Sequence, residues 1–205
     1  MKDRKKIIIA SCALLIIIIG VVSAKLYTED KNQKEIDEYI AKQTPTIPPG
    51  YDEEKMVGLL GEPATFSNVI NDAELIIEGE VTEETDVYYD DDKFGPYHDA
   101  IIKVSKVIKG NNVAIGDQVA VKVFGGVLEN SIAWSPDDAT FKQGEKVLIM
   151  LSKYGGEKYK VSFGVFGKIL IQGNKVQGIS MDDGYIDTKL SDIENRIRSE
   201  VTRKK

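Results

Sequence analysis

Apolar and polar residues alternate through the middle of the chain. In Glu74–Thr82, Leu75, Ile77 and Val81 fall on one face, and Glu74, Glu78, Glu80 and Thr82 fall on the other. That period of two predicts a half-buried strand. Gly79 falls on the apolar face, where a missing side chain predicts a bend or a close backbone approach. Gln118–Phe124 repeats the pattern with Val119, Val121 and Val123 inward. Tyr97–Lys109 keeps it through Ile102 and Val104, then presents Val107 out of phase. One inserted residue near Ser105–Lys106, a β-bulge, restores Val107 to the core.

Glu145–Leu151 is apolar at successive positions and so predicts a central strand covered on both faces. Tyr154–Glu157 is turn chemistry, and Lys158–Phe163 returns with Tyr159, Val161 and Phe163 inward. Val165–Ile171 follows. Gly173-Asn174 then makes a two-residue hairpin into Lys175–Ile179. Two segments change period. Thr65–Ala73 predicts one or two helical turns capped by Ser67 and presenting Val69 and Ile70. Ser191-Asp-Ile-Glu194 is a capping-box pattern, and Ile193, Ile197 and Val201 form the single stripe of a terminal helix. Val127–Phe141 is irregular, holds the only tryptophan, Trp134, and turns at Ser135–Asp138.

About seven short antiparallel strands, one of them long and bulged, with a helix packed outside, predict a mainly β fold. The reading is a small closed OB-like barrel with a two-sheet sandwich as the alternative. A C-terminal α-helix follows it.

The first fifty residues carry a different pattern. Ile7–Ala24 is an uncharged apolar run behind Lys2, Arg4, Lys5 and Lys6. As a helix it spans roughly 27 Å, close to the hydrocarbon core of a bilayer. It predicts a transmembrane helix over residues 1–27, N-terminus in the cytoplasm by the positive-inside rule, with the rest outside the cell membrane. Val22-Ser-Ala24 also supplies a cleavage site, and secretion after Ala24 is the alternative. Residues 28–50 form a charged stalk and spacer. Within it, Ile36, Tyr39 and Ile40 predict a short amphipathic helix around Glu35–Lys42, and Thr44–Gly50 holds three prolines. Residues 51–205 are the extracytoplasmic β domain.

Charge sharpens this division. The net charge is −6, but residues 1–24 carry +3, which leaves −9 for the remainder. An acidic ectodomain of that kind does not hold polyanions, so no nucleic acid is expected as a partner. The single cysteine, Cys12, lies inside the apolar run, so disulfides and thiolate metal sites are not expected. Ile9-Ala-Ser-Cys12 resembles a lipoprotein signal only locally, because the apolar run continues beyond it.

Four segments together resemble a known family. They are Asp72–Val81, Ile102–Gly110, Val119–Gly126 and Phe141–Leu151, with Lys-Gly and Gly-Glu-Lys-Val turns. Their spacing is similar to that of the OB-type barrels of netrin-like and metalloproteinase-inhibitor-like domains. Bacterial exported proteins of unknown function share it. The resemblance spans roughly residues 70–172 and implies an OB-type fold and an extracytoplasmic setting. It carries over neither protease inhibition nor any functional residue, because the animal members' inhibitory edge depends on an N-terminal cysteine and disulfides that this domain lacks.

Candidate chemistry is sparse. His98, beside Asp99, is the only histidine, and no Gly-x-Ser-x-Gly or Ser-x-x-Lys occurs, so a hydrolase is the least favoured reading. Asp86, Asp90, Asp91 and Asp92 are the candidate Ca²⁺ ligands, although they fail the EF-hand spacing at Phe94 and Ile101. Tyr88, Tyr89, Phe94, Tyr97 and Trp134 are the candidate ligand-binding aromatics. The expectation is a membrane-tethered, non-enzymatic module that binds a protein, peptide or envelope polymer. A Ca²⁺-dependent binding domain is the alternative. Any site should lie in the loops Asp86–Tyr97 and Val127–Phe141, where the β pattern leaves residues unexplained.

Overall fold

A computed structural model describes residues 29–42, 44, 49–50, 52–55, 65–89, 95–127, 129–180, 182 and 184–203. Five strands close into a barrel: β2 (Leu75–Glu84), β4 (Pro96–Lys109), β5 (Gln118–Phe124), β8 (Lys146–Lys153) and β9 (Tyr159–Val161). Around the ring the order is β2-β4-β5-β9-β8 and back to β2. Four pairings are antiparallel; the β5–β9 pairing that completes the ring is parallel. The barrel interior is the alternating set expected from the pattern: Leu75, Ile77 and Val81, Ala100, Ile102 and Val104, then Val119, Val121 and Val123. Each buried Leu, Ile or Val side chain contributes about 1.5–3 kcal/mol.

Bulges bend the long strands enough to close this small ring. Between β2 and β4, Glu78 pairs with Lys106 and Gly79 with Val104, so Ser105 is the extra residue. That is the insertion Val107 required. Gly79 lies where the strands press together: a Cβ there would sit 2.5 Å from Ile102 Cγ2 and 2.7 Å from the Lys103 carbonyl.

β2 and β8 extend on one side into β10 (Lys168–Gln172), β11 (Lys175–Ser180) and β12 (Gly184–Lys189). A second core forms on their outer face. Ile76, Leu148 and Met150 meet Phe66, Val69 and Ile70 of α2 (Phe66–Asp72), and Ile193 and Ile197 of α3 (Leu190–Arg203). β8 is therefore covered on both faces, as its continuous apolar run predicts. β2 is covered on both as well, because helices sit over the face that carries Glu78.

Local chemistry shifts both helix starts. Thr65, not Ser67, caps α2, its hydroxyl accepting from the Asn68 amide at 3.2 Å. Asp182 accepts the Phe66 amide at 2.9 Å. α3 begins at Leu190, one residue ahead of the capping-box serine. Glu194 is drawn instead to Lys106, whose ammonium also lies 3.2 Å from Glu78 Oε1. Burial and the neighbouring Glu194 carboxylate raise the Glu78 pKa. Burial acts the same way on Glu194, but its bonds to Lys106 and Glu78, together with the charges of Lys106 and Arg198, outweigh this and lower the Glu194 pKa.

Residues 29–42 are helical and form α1. Tyr39 is 1% exposed and packs with Val165 and Ile179, with Ile36 and Ile40 beside it. Its hydroxyl donates to the Lys168 carbonyl at 3.2 Å. The amphipathic segment of the stalk is thus seated on the β domain. β1 (Asp52–Lys55) pairs in parallel with β7 (Ser131–Trp134), which pairs antiparallel with β6 (Gly126–Val127). Among the described residues no helix is long and apolar enough to cross a membrane. The apolar run Ile7–Ala24 lies outside the described residues.

Candidate functional site

The small β1-β7-β6 sheet covers one end of the barrel. β5 reaches it through Gly125 and Gly126, whose φ values of +93° and +137° suit glycine alone. A side chain on Gly125 would overlap the Ala133 carbonyl, and one on Gly126 would overlap Val87. Under this sheet lies a cavity of about 410 Å³, within the size range of small-ligand sites. Phe124, Phe141 and Trp134 supply its aromatic walls, with Val87 and Ile132 between them. Glu84, Asp86 and Lys142 stand at its polar rim.

His98 enters from the barrel. It continues the inward series Ala100, Ile102 and Val104 two residues upstream, at the point where the interior opens. Its Nδ1 lies 2.9 Å from the Gly125 carbonyl. A carbonyl only accepts, so Nδ1 carries the proton. Nε2 lies 3.6 Å from Glu84 Oε2. Burial lowers the imidazole pKa, but the Glu84 carboxylate and the Gly125 carbonyl outweigh it, and the net shift is upward.

Asp99 belongs to the opposite face of β4 and to another cluster. Its Oδ1 accepts from the Tyr88 hydroxyl at 2.8 Å, and its Oδ2 accepts from Lys158 at 2.7 Å. The bond to Asp99 raises the Lys158 pKa against partial burial. Burial, then the Asp99 carboxylate, raises that of Tyr88. Next to them the Lys122 ammonium is clamped between two rings, 3.6 Å from the centre of Tyr97 and 4.0 Å from that of Tyr154.

These contacts divide the candidates read from the sequence. Trp134 and Asp86 line the cavity together with His98. Tyr88, in the two-residue strand β3 (Tyr88–Tyr89) that pairs with β4, packs against Tyr97 on the outer wall, ring centres 6.4 Å apart, Tyr97 also edge-on to Phe124. Tyr89 is 68% exposed. Asp90, Asp91, Asp92 and Phe94 lie outside the described residues. Among the described residues, no group of three or more His, Cys, Asp or Glu is gathered for a metal. His98 and Asp99 point to opposite sides of their strand and form no dyad.

The cavity also uses residues the sequence reading did not single out. Glu84 looks like the solvent end of an alternating strand, yet a register shift at Val81/Glu83 carries it to the rim. Phe124 looks like the outward partner of Val123, yet the Gly125-Gly126 turn brings it to the cavity wall. The Gly-Gly pair was the available signal. No protein-family model matches this chain, and no curated protein sequence is similar to it.

Proposed function

We propose that this chain is a membrane-tethered extracytoplasmic binding module without enzymatic activity, built on an OB-type barrel related to netrin-like and inhibitor-like domains. Its ligand is a protein, peptide or envelope polymer. The carrying observation is the cavity at the barrel end, where aromatic walls meet a rim of convergent polar groups. The ring order, with its one parallel closure between β5 and β9, supports the OB-type assignment. Two observations favour binding over hydrolysis. The ring nitrogens of His98 face Gly125 and Glu84. The neighbouring Asp99 is engaged by Tyr88 and Lys158. The apolar run behind a basic N-terminus supports the tether.

Photo-crosslinking in intact cells tests this reading. One photoreactive residue replaces Val127, 60% exposed beside the cavity; a second replaces Ile115, 71% exposed in the β4–β5 turn. The expected result is a discrete adduct from position 127, absent from position 115, in cells that a membrane-impermeant reagent labels at an Ile115→Cys variant. Identical adducts from both positions, or labelling only after lysis, would overturn it.

A further inference from the structure

One wall of the barrel-end cavity has a second layer behind it. The stretch Ser135–Lys142 lies between β7 and β8 and belongs to neither, so no ladder of strand hydrogen bonds holds it. It follows directly from Trp134, and on one side it supplies Thr140, Phe141 and Lys142 to the cavity. On the other side Pro136 and Asp137 face α1 across a second cavity of about 470 Å³, which Ile36 and Ile40 also line. Ala139 and Phe141 pin the stretch to the barrel core. Three further ties lead to α1. The Lys142 ammonium donates to the carbonyl of Lys42, the last residue of α1, at 3.1 Å. The Asp137 carbonyl accepts from the Val165 amide at 2.9 Å, and Val165 packs on Tyr39. Lys168 donates through its ammonium to the Thr140 carbonyl, and its own carbonyl accepts from the Tyr39 hydroxyl.

The helix that braces this wall is itself lightly held. Tyr39 is the one buried residue of α1, and Ile36 and Ile40 beside it are half-buried. A helix this short is marginal once it leaves a packed surface, so undocking and melting of α1 are one event. Such an element opens at far lower free energy than a core strand. We propose that α1 is a releasable strap that controls access to the barrel-end cavity. Docked, it braces the Ser135–Lys142 wall and keeps Trp134 covered. Released, it lets that wall give way and opens the cavity. The proposal names the regulation of this cavity and rests on the reading of it as a ligand site. Linkage is reciprocal, so an occupant that needs the open wall holds α1 off to the same extent.

Trp134 is the only tryptophan and is 8% exposed, so acrylamide quenching of the full-length chain in detergent reads the state of the wall. Tyr39→Ala, Ile36→Ala and Ile40→Ala weaken the strap from α1, outside the barrel-end cavity. Hydrogen exchange over residues 29–42 measures release in each variant. Quenching should rise severalfold in Tyr39→Ala and by less in the isoleucine variants, ranked as their α1 exchange rates, with β2, β4 and β8 still protected. The isoleucine variants keep the test decisive if Tyr39→Ala loosens the whole domain. Faster α1 exchange with Trp134 quenching at the wild-type level overturns the proposal. Higher quenching that comes only with lost protection in the barrel overturns it too. So does α1 exchange already as fast in wild type, since nothing would then be strapped. Neither measurement needs a ligand, so each of these failures leaves the ligand reading to the crosslinking experiment.

Discussion

His98 Nδ1 lies 2.9 Å from the Gly125 carbonyl, so one imidazole ties β4 to the crossover that folds β6 and β7 over the barrel end. The charges that act on it are Glu84 from β2 and Asp99 from its own strand. Its folded pKa is raised above the unfolded value of about 6.5. Its stabilisation is therefore fully present below that unfolded value and is lost as pH rises through the folded value. The melting-temperature gap between wild type and His98→Gln should be widest near pH 5 and narrow toward pH 8. A gap that widens with rising pH would contradict this.

Lys168 is 0% exposed and depends on Glu145. Burial lowers its pKa, while the Glu145 carboxylate pulls it back up. Removing one partner of such a pair strands the other. Glu145→Ala leaves an ammonium buried, and should cost about 3–5 kcal/mol in denaturant unfolding. Lys168→Met leaves Glu145 able to reach water, and should cost clearly less. Equal costs would show that the ion pair does not govern this layer.

Gly79 has no room for a side chain between Ile102 and Lys103. Gly79→Ala should lower stability by about 1–3 kcal/mol through overpacking at the barrel bend. Gly173→Ala, in an open hairpin turn at φ +65°, should cost less, since its penalty is backbone strain alone. Chemical denaturation of the two variants checks the order.

Tyr39 holds α1 on the domain. Tyr39→Ala should release the helix without unfolding the barrel. Hydrogen exchange should accelerate across residues 29–42 and stay unchanged in β2, β4 and β8. Protection lost throughout the barrel would make α1 an integral part of the core.

The barrel was legible because its interior follows strict alternation. Val119, Val121 and Val123, and the phase slip at Val107, each map onto an observed strand or bulge. The outer layer was less so. Glu78 and Lys106 look like solvent-facing charges, yet they are gathered with Glu194 beneath α3. Only the long-range docking of that helix reveals this. The docked helix α1 was readable as an amphipathic pattern but not as part of the domain, since Val165 and Ile179 lie far along the chain. Likewise, the irregular stretch Val127–Phe141 resolves into β6, β7 and a cavity wall because β1 and the Gly125-Gly126 turn place it there. Hydrophobic period carries no information about such pairings.

His98 and Trp134 are the only histidine and tryptophan in the chain, and both line the cavity. Each gives one unambiguous side-chain signal in a nuclear magnetic resonance spectrum. Titrating the full-length chain with a peptide fraction from the cell envelope therefore tests the binding account most directly. The account predicts that the imidazole and indole signals move together with a single saturation curve. Saturable shifts elsewhere in the barrel, with these two signals unmoved, would contradict it.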